Sequence, residues 1–88
     1  MTRHQHLKAF EECVLRFRLI KKDLLSINSN IDAPKYREKR DYAETAYLQT
    51  LDEIISRGKK YLSLNPETDN AIRVAIDLDK YENILKKF

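Results

Sequence analysis

Residues 71–88 read AIRVAIDLDKYENILKKF and carry the most regular apolar pattern in the chain. Its apolar side chains recur at alternating steps of three and four residues, the spacing that places them along one side of an α-helix. The series consists of Ala71, Val74, Leu78, Tyr81, Leu85 and Phe88. We therefore predict a helix over residues 66–87, with Asn65 as its N-cap and Pro66 at its first position.

The amino-terminal third of the chain carries a second helical pattern. A stripe of apolar residues with the same spacing is interrupted only once and consists of Leu7, Phe10, Val14, Phe17 and Leu24. Thr2 and Gln5 match a capping box, in which each side chain accepts a hydrogen bond from a backbone N–H at the helix start. These features predict a helix over residues 3–27.

The middle of the chain predicts the longest helix. Its apolar positions form two adjacent rows, which together make a face wide enough to contact two neighbours. One row is Tyr36, Ala43, Tyr47, Ile54 and Tyr61, and the other is Leu48, Leu51, Ile55 and Leu62. We predict this helix over residues 33–63, with Asp32 as its cap and Pro34 in its first turn. It should run through Gly58, at a cost of about 1 kcal/mol relative to alanine, because the rows continue beyond the glycine.

The turn residues of the chain favour helices over a sheet. One glycine and two prolines in 88 residues are too few to punctuate a sheet with hairpins. Short connections make consecutive helices antiparallel neighbours. We therefore predict a single all-α domain over residues 1–88, an antiparallel up-down-up three-helix bundle. The alternative is an elongated helical hairpin that is completed by dimerisation.

Composition excludes several classes of protein. With 42% hydrophobic and 35% charged residues, the chain is neither disordered nor membrane-embedded, since charges interrupt every long apolar stretch. The first ten residues lack the apolar segment of a signal peptide. A lone cysteine, Cys13, cannot form an intramolecular disulfide and fits a reducing compartment. We expect a cytoplasmic protein without a membrane partner.

The residues that carry most enzyme chemistry do not form a recognisable constellation. His4 and His6 are two positions apart, so on a helix they point in different directions and cannot bind one ion together. Cys13 lies beside the apolar stripe without a histidine at helical spacing, which predicts an ordinary buried thiol. Gly58 alone cannot make a glycine-rich phosphate loop. We therefore expect no catalysis, no cofactor and no bound metal.

Large aliphatic residues outside the core stripes give the main functional signal. Leu15 and Leu19 fall roughly opposite Phe17 on the first helix, and a second pair falls opposite the core stripe of the third. Single surface aliphatics are normal, which is the alternative interpretation, but a cluster of them indicates a binding surface. The predicted partner-binding residues are Leu15, Leu19, Ile72 and Ile76, with Arg16, Arg18 and Arg73 as neighbouring polar contacts.

These residues predict a non-enzymatic helical interaction module of the adaptor, chaperone-like, inhibitor or immunity type. Its partner would be another protein or a second copy of the chain. The alternative is a nucleic-acid-binding regulator, because the net charge is +3 and the pI is near 9.0. Its candidate residues are Lys35, Arg37, Lys39 and Arg40, which lie in a stretch that also contains Tyr36 and Tyr42. Acidic residues in the same stretch, Glu38, Asp41 and Glu44, cancel much of this charge.

Overall fold

In the computed structural model, residues 2–87 are described, and they form three α-helices joined by short connections. The helices are α1 (Arg3–Asn28), α2 (Tyr36–Leu62) and α3 (Thr68–Lys87). α2 lies in the middle and packs against both of the others. The predicted all-α three-helix bundle is therefore confirmed. The chain is elongated, with extents of 49 × 24 × 15 Å.

The core lies where the inner faces of all three helices meet. Phe17 is central to it, because its ring centroid lies 4.8 Å from that of Tyr47 on α2 and 5.4 Å from that of Tyr81 on α3. The other buried members of this cluster are Phe10, Cys13, Val14, Leu51, Ile54, Ile55, Tyr61, Val74 and Leu78. The predicted stripes thus supply most of the core. Leu85, predicted in the α3 stripe, is instead exposed, and the neighbouring Ile84 packs against the core. Phe88, the last predicted member, lies outside the described residues.

α1 begins as its sequence predicts. The Gln5 N–H donates to Thr2 Oγ1 at 3.2 Å, and the Thr2 N–H donates to Gln5 Oε1 at 2.7 Å. This reciprocal capping box satisfies two backbone donors that the first turn leaves unpaired. α1 then continues to Asn28, one residue beyond the predicted end.

α2 begins at Tyr36, so the predicted start at residue 33 with Asp32 as cap is wrong. Residues 30–36 instead form consecutive turns, in which the Ala33 N–H donates to the Asn30 carbonyl and the Tyr36 N–H to the Ala33 carbonyl. Lys35 has φ 61°, in the left-handed region. A right-handed helix cannot pass through such a residue, so α2 starts directly after it.

α3 begins at Thr68, so Asn65 is not its cap and Pro66 is not its first residue. Asn65 has φ 53° and therefore lies in the left-handed region, whereas a helix N-cap normally has extended backbone. Asn65 belongs to the turn that follows α2. Its carbonyl accepts a hydrogen bond from Arg3 Nη1 at 2.9 Å, which ties this turn to the start of α1.

α2 is continuous through Gly58, as predicted. The contacts that connect it to α3 lie in its second half, where Gly58 faces Leu78 and Lys59 Nζ lies 3.4 Å from Glu82 Oε1. The first half of α2 instead pairs with the end of α1, where the Tyr36 hydroxyl donates to Asn28 Oδ1 at 3.2 Å. α1 also reaches the second half of α2, where Arg16 pairs with Glu53, so this half of α2 lies between both of the other helices.

Candidate protein-binding surfaces

The four off-stripe aliphatic residues lie on the outside of the bundle. Leu15 is 58% exposed, Leu19 65%, Ile72 54% and Ile76 65%. Each pair is separated by one helical turn and faces away from the core side of its own helix. We call these pairs the outer faces of α1 and α3. Their exposure agrees with their positions in the sequence, and their role in binding stays a prediction.

A groove between α1 and α3 separates the two outer faces. It has a volume of about 290 Å³, and Leu15 is the one residue of the four that lines it. An ion pair crosses from one helix to the other, with Arg73 Nη2 2.9 Å from Glu11 Oε1. Arg18 and Asp77 add two more charges to the lining. The four aliphatic residues therefore do not form one continuous patch in the free chain.

Two of the three predicted polar contacts already have carboxylate partners. Arg73 pairs with Glu11 as described, and Arg16 Nη1 lies 3.4 Å from Glu53 Oε2 on α2. Glu53 also accepts a hydrogen bond from Arg57 Nε at 3.0 Å. This bond, with the positive charge of Arg16, holds the pKa of Glu53 below its ordinary value although partial desolvation opposes the shift. In the free chain, Arg16 therefore joins α1 to α2, and Arg73 joins α3 to α1.

A second groove, which the sequence analysis missed, lies between the second half of α1 and the first half of α2. Its volume is about 370 Å³. Tyr42 lines this groove. Its side chain is 81% exposed, the largest exposed fraction of any large hydrophobic residue in the described chain. Alanines on α2 leave room for the depression. We call this site the Tyr42 groove, and its lining consists of Ile20, Asp23, Ile27, Lys35, Glu38, Lys39, Tyr42, Ala43 and Ala46.

A signal for this groove was present in the sequence. Tyr42 precedes Leu51 by nine residues, which at about 100° per residue places it on the opposite side of α2 from the core. Ala43 and Ala46 are small residues beside it. Tyr42 also lies among basic residues in the sequence, a pattern that is equally typical of a nucleic-acid-binding surface. The contribution of α1 to the groove depends on how the helices pair, which periodicity within one helix does not give.

The candidate nucleic-acid-binding residues do not form one basic face. Arg40 lies over the ring of Tyr36, 5.5 Å from its centroid, and pairs with Asp41 at 3.4 Å and Glu44 at 4.0 Å. Lys35 and Lys39 lie instead at the Tyr42 groove. Arg37 is exposed. Their positive charge is therefore divided between two sides of α2 and partly neutralised.

Cys13 is buried, as its position beside the stripe predicts. Burial raises the pKa of its thiol, and the nearby carboxylate of Glu53 raises it further, against the opposing charges of Arg16 and Arg57. Arg16 Nη2 also donates to the sulfur at 3.4 Å. A protonated, enclosed thiol is a poor nucleophile.

No protein-family model, curated protein or solved structure matches this chain. Within residues 2–87, no three histidine, cysteine, aspartate or glutamate side chains are grouped as a metal site would require. Across the same residues, no helix combines the length and the apolar character that a bilayer crossing needs.

Proposed function

We propose that this chain is a non-enzymatic helical interaction module that binds a protein partner through the outer faces of α1 and α3. The observation that carries the proposal is the exposure of Leu15, Leu19, Ile72 and Ile76, each more than half accessible. Fully burying one such side chain contributes about 1.5 to 3 kcal/mol. Four of them would stabilise a complex by several kcal/mol before the entropy of association is subtracted.

The core supports this proposal because it is complete without these four residues. Side chains from all three helices already enclose Phe17, and Leu51 and Ile54 have no exposed surface. Folding of the subunit therefore does not explain why large aliphatic residues occupy the outer faces. A binding role does, since burying them in a complex recovers the free energy that their exposure to water costs.

The arrangement of charge suits a partner that contacts both helices. The outer faces lie on either side of the groove that holds Arg18, Asp77 and the Arg73–Glu11 ion pair. A partner that reaches both faces would lie across this groove and meet a polar rim around apolar contacts. Adaptors, chaperone-like proteins, inhibitors and immunity-type regulators all act through surfaces of this kind, and we place the protein in the cytoplasm as part of the same proposal.

The test is the double variant Leu15→Glu with Ile76→Glu. Both side chains are exposed, so we expect unchanged helicity by circular dichroism and loss of partner capture from an extract of cells that express the chain. The matched control is Leu25→Glu with Ile31→Glu, which introduces the same charges at similarly exposed positions outside the outer faces. The proposal fails if Leu15→Glu with Ile76→Glu captures the partner as well as the wild type and the control do. Binding to random DNA or RNA that weakens steeply with salt would instead support the nucleic-acid alternative.

A further inference from the structure

We propose that the Tyr42 groove is a self-association surface, on which a second copy of this chain docks about a two-fold axis. In this dimer α2 pairs antiparallel with α2 of the other copy. The exposed ring of Tyr42 on each copy lies against Ala46 of the other. This surface shares no residue with the outer faces, so the proposal can fail without affecting the proposed function.

The chain exposes more surface than a compact monomer of its mass, and the excess is about the area that one partner buries in an interface. A compact monomer of this mass, 10.5 kDa, exposes roughly 5,400 Å², whereas this chain exposes 6432 Å². The difference of about 1,000 Å² compares with the ~800 Å² that each partner buries in an interface of standard size. The radius of gyration agrees, at 15.1 Å against about 12 Å for a compact domain of 88 residues.

The shape of the groove is self-complementary. Tyr42 projects from α2, and Ala46 lies one helical turn further along the groove lining. A two-fold axis midway between these positions would bring each large residue opposite the small residue of the other helix. Such alternation of large and small side chains lets two helices approach closely and interdigitate. Tyrosine is also enriched among the residues that dominate binding energy at interfaces.

The charges around the groove also favour a second copy over a strongly charged partner. Asp23 and Glu38 contribute two negative charges, and Lys35 and Lys39 contribute two positive ones. In a two-fold interface a patch meets itself, so a patch of one sign would repel and a neutral one does not. None of these four side chains forms an ion pair with another part of the described chain. All four are therefore free to pair across the interface.

The opposite side of the same two-helix segment is less suited to docking. There, Arg40 lies between Tyr36, Asp41 and Glu44, so cations and carboxylates already neutralise one another on the subunit. Covering them would remove charged groups from water without adding apolar contact. The groove side offers the apolar floor of Ile20 and Ile27 instead.

The first experiment measures the mass of the full chain by sedimentation equilibrium over a range of concentrations. We expect a dimer, and an increase of about tenfold or more in the dissociation constant for Tyr42→Ala. The matched control is Leu25→Ala, which removes an exposed side chain outside the groove and should leave the dimer unchanged. A chain that stays monomeric at its highest soluble concentration would overturn the proposal.

The second experiment tests the two-fold geometry by exchanging the large and small residues. Ala46→Tyr alone places two tyrosines against each other and should weaken the dimer. Combined with Tyr42→Ala, it restores a large residue opposite a small one, so dimerisation should recover. If the double variant loses helicity, disulfide cross-linking between single-cysteine variants in a Cys13→Ala background tests the two-fold geometry instead. Under oxidation by dissolved oxygen, which accepts the two electrons and two protons, a mixture of chains carrying Tyr42→Cys and Ala46→Cys should form the mixed disulfide in preference to either symmetric one.

The outcomes separate this proposal from the proposed function. Leu15→Glu with Ile76→Glu should leave the dimer intact, because neither residue lines the Tyr42 groove. A dimer that is lost in that variant and kept in Tyr42→Ala would assign self-association to the outer faces and overturn the groove proposal. Preference for the symmetric disulfides would overturn the proposed axis.

Discussion

Gly58 and Leu78 fit against each other only because Gly58 has no side chain. A Cβ atom at position 58 would lie 2.6 Å from Leu78 Cδ2 and 2.9 Å from Leu78 Cγ. Both residues are buried, so the leucine has little room to move. The close approach of α3 therefore offsets the conformational cost of a glycine inside α2.

Gly58→Ala should destabilise the fold despite a better helix propensity. Alanine gains about 1 kcal/mol in helix propensity, but forcing a methyl group into a packed core costs typically about 1 to 3 kcal/mol. We expect a net loss of up to about 2 kcal/mol, measured by urea denaturation. In a Leu78→Ala background the clash is absent, so the same substitution should stabilise by about 1 kcal/mol. An equal effect in both backgrounds would contradict this account.

Glu53→Gln should weaken the contact between α1 and α2 in a pH-dependent way. The variant loses the ion pairs of Glu53 with Arg16 and Arg57, at 3.4 and 3.0 Å. Such partly exposed pairs contribute about 0.2 to 1 kcal/mol each. We therefore expect a loss of about 1 kcal/mol in the free energy of unfolding at neutral pH, measured by urea denaturation.

The pH dependence of this loss follows from the lowered pKa of Glu53. A carboxylate whose folded pKa lies below its ordinary value of 4.5 stabilises the fold above that value. The contribution disappears as the pH falls through the lower, folded pKa. The difference between Glu53→Gln and wild type should therefore shrink below about pH 4.5. Glu12→Gln is the control at neutral pH, since it removes an exposed carboxylate that has no ion pair within the described chain.

The inner faces of the helices could be predicted because they depend on spacing along one helix. Phe17, Leu51 and Val74 occupy the core that their periodicity indicates. The starts of α2 and α3 could not be predicted in this way. They depend on left-handed backbone at Lys35 and Asn65, two residue types that adopt other conformations elsewhere. Asp and Asn are favoured both at helix N-caps and in turns, so the residue types of Asp32 and Asn65 do not distinguish the two.

Ion pairs show the same limit of local reasoning. Spacing within α2 predicts the pair of Glu53 with Arg57, which is present at 3.0 Å. Arg16 also has an acid four residues earlier, yet it pairs with Glu53 across the helix interface. The exposed residues of the outer faces could be found from one helix at a time. The Tyr42 groove could not, because its floor is shared between two helices.

Alkylation of Cys13 should report the opening of the contact between α1 and α2. The thiol is buried, and burial raises its pKa, so native protein at neutral pH presents neither an accessible nor a deprotonated sulfur to iodoacetamide. We expect labelling, followed by mass spectrometry, to be slow in buffer and fast in urea. Ser56→Cys in a Cys13→Ala background is the control, because Ser56 is exposed and its replacement should label at once.

The raised pKa of Cys13 also predicts a loss of stability in alkali. A thiol whose folded pKa exceeds its ordinary value of 9.0 favours the fold while both states are protonated. Above that value the unfolded state releases the proton first, so stability falls as the pH rises towards the folded pKa. Cys13→Ala should reduce this decline, although Tyr47 and Tyr81, whose pKa values are also raised by burial, will leave part of it.

The alkylation experiment has its own contrary outcome. Fast labelling of native Cys13 at neutral pH would show that α1 separates locally from α2, because a closed interface gives the reagent no access to the sulfur.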